Sequence, residues 1–179
     1  ERKLDNILGV IPVPARTLVS HLAWSTVLFQ DMVRKRLGGR NPFTNAHVVY
    51  HGSSDDAALN RGVERFDADP KAVAELAYDS DMFGDIKVPV ITMHAIDDPT
   101  ALVEYESVYK DVVTKAGNQD KLLQTFTDEH EHSKRAEPED AARRDTLMLW
   151  IDTGRKPSAD QVAADCTQKA TRFQGGCHF

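Results

Sequence analysis

The chemically capable side chains gather in two short stretches, Met93-His94-Ala95-Ile96-Asp97-Asp98-Pro99-Thr100 and Thr127-Asp128-Glu129-His130-Glu131-His132-Ser133. An acid on one and an imidazole on the other are two of the three groups that activate a hydroxyl nucleophile. The imidazole takes the hydroxyl proton, while a buried carboxylate holds its tautomer and stabilises the imidazolium that forms. Acid before histidine is one of the chain orders in which such triads occur. Asp97 and Asp98 are the candidate acids, and His130 and His132 the candidate bases.

The same residues admit two other chemistries. In an extended segment, residues i and i+2 share a face, so His130 and His132 could hold one ion. With Asp97, Asp98 and His94 nearby in the chain, they supply the ligand types of a zinc or other divalent-metal hydrolase. Alternatively, the stretches form turns and a solvated charged loop on a non-catalytic α/β binding module, since Asp-Asp-Pro is turn chemistry in any protein.

Both stretches follow strand-like segments. Val88-Pro89-Val90-Ile91-Thr92-Met93 is a nearly continuous apolar run, as in a strand buried on both faces. Leu122-Leu123-Gln124-Thr125-Phe126-Thr127 is a second strand. Between them, residues 101–116 read as a helix closed by Gly117, and residues 139–153 as a last helix ended by Gly154 and Pro157. Strand, helix, strand, helix is the order of a parallel α/β sheet. In such sheets, sites form beyond the carboxyl ends of the strands, where the two stretches lie.

Upstream, residues 1–16 read as an approach segment with two prolines. A helix is predicted over 15–37, its apolar positions including Leu18, Leu22, Val27, Leu28, Met32 and Val33, and Gly38-Gly39 ends it. One or two helical turns are expected over 55–60, and a helix over 70–78 with Asp69 as N-cap and Pro70 at its first position.

The runs "VPVITMHAIDDPTALVEYESVY", "LLQTFTDEHEHSK" and "LMLWIDTGRKPSADQV" resemble the C-terminal part of the serine α/β-hydrolase superfamily, its esterase- and peptidase-like members in particular. The likeness covers roughly residues 85–166, and closes on a Trp-x-x-x-Gly-x-x-Pro pattern met by Trp150, Gly154 and Pro157. It implies an α/β fold, the C-terminal part of a doubly wound α/β-hydrolase sheet with a helical cap or lid segment. Residues 1–84 would be cap and connection, 85–165 the βαβα part of the core, and 166–179 a tail. It further implies cleavage of an ester, or an amide, through an acyl-enzyme with Asp98 and His132 as catalytic residues and no cofactor. Where that family's histidine loop has Gly-His, this chain has Glu131-His132.

A nucleophile elbow, Gly-x-Ser-x-Gly, is missing. Gly52-Ser53-Ser54 has neither the spacing nor the strand-to-helix setting. The resemblance therefore implies a partner: the N-terminal portion of the same enzyme, carrying the serine, alongside a small-molecule ester or amide substrate. A few strands alone would expose an apolar edge, so the chain is expected to be stable only with that portion.

Composition narrows the rest. Among 179 residues, 22 Lys and Arg stand against 28 Asp and Glu, a net charge of −6 spread along the chain. Nucleic-acid binding needs a basic stripe that is not there. No apolar run approaches the ~20 residues that span a bilayer. Cys166 and Cys177 are either two thiols or a loop-closing disulfide. The latter would mean a non-reducing compartment, hence a secreted or periplasmic protein.

Overall fold

The computed structural model describes residues 2–11 and 13–179; Glu1 and Pro12, both in the expected approach segment, lie outside the described residues. The chain divides into two compact units, Glu1–Asp81 and Met82–Phe179.

The first unit is helical. The approach segment contains a helix, α1 (Arg2–Val10), which the sequence reading missed. The helix expected over 15–37 is α2 (Leu18–Phe29), preceded by a 3₁₀ turn and continued as π-helix over Gln30–Arg36. Of its expected packing face, only Leu18 and Val33 are buried. Val19, Leu22, Trp24, Val27, Leu28 and Phe29 are all exposed. Two helices follow: α3 (Asp56–Gly62), capped by Asp55, and α4 (Pro70–Ser80). Asp69 caps α4 by accepting the N–H groups of Lys71 and Ala72. The intervening loops are held by side-chain amides rather than by strands. Asn45, nearly buried, donates to Glu64 O and accepts from Phe66 N, and Asn60 brackets both backbone groups of Tyr50.

The second unit carries the sheet. Strand β1 (Val90–Ala95) pairs in parallel with β2 (Leu122–Thr127), from Val90 beside Leu122 to Ala95 beside Thr127. Helix α5 (Glu104–Lys115) makes the crossover, with α6 (Glu137–Thr153) and α7 (Ala159–Lys169) following. Side-chain alternation assigns the faces. Thr92, His94 and Gln124 meet Glu106 of α5. On the opposite face Leu123 packs on the cluster of Ala142, Val162 and Cys166 contributed by α6 and α7.

The α/β class is thus present, as two parallel strands between helices. The larger doubly wound sheet is not formed among the described residues, because only two segments carry backbone ladders and the first unit supplies none.

Local chemistry explains the element ends. Gly154 stops α6 in a left-handed conformation, φ 67°, as its position after the last apolar turn predicts. Gly84 lies so close to α5 that a Cβ would stand 2.3 Å from the Val112 carbonyl. Its own carbonyl accepts from buried Asn118, tying the approach to β1 onto the end of α5.

Helix α7 carries Cys166, so the expected tail over 166–179 begins inside a helix. Cys166 and Cys177 form a disulfide. No single helix is long and apolar enough to cross a membrane among the described residues.

Candidate functional site

Beyond β1 and β2 the two loops stay clasped by backbone bonds. Ile96 N donates to Thr127 O at 2.9 Å, and Asp97 N to Glu129 O at 3.4 Å. The in-register strand ends therefore deliver an acidic turn and a histidine loop side by side.

Asp98 turns back on its own loop. Its Oδ1 accepts the N–H groups of Thr100 at 2.8 Å and Ala101 at 2.9 Å, an arrangement that Asp favours and that Pro99 leaves free. His132 reaches it from the next loop, with Nδ1 at 2.8 Å from Oδ2 and 3.1 Å from Oδ1. The Asp98 side chain is 6% exposed and that of His132 49%. Burial pushes the Asp98 carboxyl up, but the N–H groups of Ala101 and Thr100, together with His132, outweigh it and hold the pKa below its ordinary value. An ionised Asp98 only accepts hydrogen bonds, so His132 carries its proton on Nδ1 when neutral. That leaves the Nε2 lone pair available. No described side chain hydrogen-bonds to Nε2.

The other candidates fall elsewhere. Asp97 meets His130 Nδ1 at 2.7 Å as an exposed surface pair, parallel to the Asp98–His132 pair and separate from it. The ring of His94 lies on the α5 side, bonded to Glu106 at 3.2 Å and to the Ala101 carbonyl at 2.8 Å. The expected metal set of His130, His132, Asp97, Asp98 and His94 is consequently not assembled: each imidazole has its own partner. Among the described residues, three ligand atoms come within 4.8 Å of one another at Glu129, Glu139 and His178 instead.

Two features were missed. Glu106 is one. It bonds Thr92, His94 and Gln124, and through His94 and Ala101 it braces the turn that holds Asp98. An acid on the strand-facing side of α5, opposite a histidine, is the signal that could have found it. Ser133 is the other. The expected glycine of the histidine loop is replaced at Glu131, yet the left-handed residue is Ser133, φ 57°. Glu131 itself has no positive φ.

Ser53 donates its hydroxyl to Asp56 at 2.6 Å within the turn that starts α3, a local role and no strand-to-helix elbow. Comparison with protein-family models, curated proteins and solved structures found no match in any of the three.

Proposed function

We propose that this chain supplies the acid and base of a serine hydrolase of the α/β-hydrolase type. The supporting observation is the buried, ionised Asp98 bonded to His132 Nδ1 while Nε2 stays open. In this reading Nε2 accepts the proton of a serine hydroxyl as its oxygen attacks the substrate carbonyl. The imidazolium then gives that proton to the leaving alcohol or amine, and water repeats the sequence on the acyl-enzyme. Asp98 stays ionised throughout and stabilises the imidazolium. No cofactor takes part.

The serine and the oxyanion donors come from a portion outside these 179 residues, whose strands would extend the sheet beside β1 or β2. Residues 1–84 serve as cap and connection, and residues 85–165 as the C-terminal part of the core. An ester substrate is preferred to an amide on the breadth of the resembling family alone. The disulfide fits a secreted or periplasmic setting.

Labelling by a fluorophosphonate probe tests the reading on protein that includes the upstream portion. Label should appear on a serine upstream, and Asp98→Asn should lower ester turnover by ~10⁴-fold, the cost of a wrong tautomer in such triads. An inert protein would return the chain to the binding-module reading.

A further inference from the structure

We propose that Glu129, Glu139 and His178 bind one divalent transition-metal cation of the zinc class, which joins the segment after α7 to the loop that carries His132. The donor atoms of the three side chains already lie within 4.8 Å of one another. Glu139 is fully buried at the start of α6. Its Oε2 accepts the N–H of Ala136 at 2.8 Å and its Oε1 that of His178 at 2.9 Å, so each oxygen keeps a lone pair for a metal. Glu129 is nearly buried as well. Its nearest cationic groups are His178 Nε2 at 3.7 Å and Lys134 Nζ at 3.8 Å, both longer than a hydrogen bond. Two carboxylates withdrawn from water this close together repel each other, and neither has a cation in hydrogen-bond contact.

A second observation points to a bound group. Thr127 Oγ1 is buried and has no hydrogen-bond partner. Thr127 follows Leu123 and Thr125 on one face of β2, and Leu123 packs against Ala142. Glu139 stands one helical turn before Ala142, so the sheet face that carries Thr127 is the one covered by the helix that carries Glu139. A buried orphan of this kind calls for a water or an ion, and a metal-bound water would satisfy it. An imidazole with two carboxylates suits zinc-class cations, whereas calcium and magnesium prefer oxygen ligands throughout. The ion would act on the loop directly, since Asp128 N donates to the His178 carbonyl and Glu129 O accepts from Asp97.

The test is a zinc titration of metal-stripped protein, disulfide intact, in competition with a chromophoric chelator and with a parallel calcium titration. We expect one equivalent of zinc, bound ~100-fold more weakly after His178→Ala or Glu129→Gln and unchanged after His130→Ala or His132→Ala. Zinc should also raise the melting temperature of the parent protein but not of His178→Ala, which is half-exposed and removes no core contact. Absence of stoichiometric zinc overturns the site. So does binding that ignores His178→Ala, binding that depends on His130 or His132, or a preference for calcium.

Discussion

The backbone N–H of His178 is held by the buried carboxylate of Glu139, and the next polar group along, the His178 carbonyl, receives the N–H of Asp128. One residue after a disulfide thus bridges the start of α6 to the loop that leads to His132. The position of that imidazole depends on a segment more than forty residues further along the chain as well as on its own strand.

Opening the disulfide releases this bridge. With a sequence separation of 11 between Cys166 and Cys177, loop entropy gives a destabilisation of about 2–3 kcal/mol for Cys166→Ala with Cys177→Ala. Urea denaturation of the double variant measures it. Unchanged stability, or two free thiols titrated in the oxidised parent, would remove the bridge from the account.

The acid dependence follows from Asp98. Its carboxyl has a folded pKa below the ordinary value of 3.8, so in acid the unfolded chain binds more protons than the folded one. The stability it contributes is complete above 3.8 and disappears as the pH falls through the lowered folded value. Asp98→Asn should therefore be less stable than the parent at neutral pH and approach it in strong acid. Parallel stability curves for the two proteins down to that range would contradict the assignment.

Ser133 adopts a left-handed conformation, φ 57°, that costs an L-residue roughly 1–2 kcal/mol. Glycine avoids that cost but loses more entropy on folding, so Ser133→Gly should gain about 0.5–1 kcal/mol. The readout is the denaturation midpoint, and a loss of stability would show that the serine side chain makes a compensating contact.

Helix α2 exposes Val19, Leu22, Trp24, Val27, Leu28 and Phe29, four of them on more than half their surface, with Val19 at 78%. A helix apolar on all sides belongs in an interior. The isolated chain should therefore self-associate and bind a hydrophobic dye, and both effects should diminish in protein that includes the portion proposed to carry the serine. A monomeric chain with a sharp cooperative melt and no dye binding would show that nothing further is needed.

Local signals made much of the second unit legible. Leu122–Thr127 is the strand that its residues predict, and Gly154 ends α6 where the apolar turns stop. In the first unit, too, Asp69 and Pro70 begin α4 as an N-cap and first residue should. These features depend on residues within a few positions of one another, where propensity and capping act. The approach segment is helical through Val10, with Leu4 and Ile7 at helical spacing, because both of its prolines come later in the chain than that helix. The shift of β1 to Val90–Ala95 has a similar origin: Val88 and Pro89 belong to the apolar run but precede the ladder.

What the sequence alone determined about this protein is the α/β order, the helix caps, and two reactive stretches following two strands. Tertiary structure decided which acid meets which imidazole. Asp97 and Asp98 are adjacent in the chain, yet one turns to solvent with His130 while the other is buried against His132, because the Asx turn over Thr100 and Ala101 aims only the second carboxylate inward. It also decided that Glu106 braces that turn and that Glu139 holds His178. Such pairings connect residues 12 and 39 positions apart. They are set by the parallel register of the strands and by which helix covers which face, and neither is encoded in local spacing.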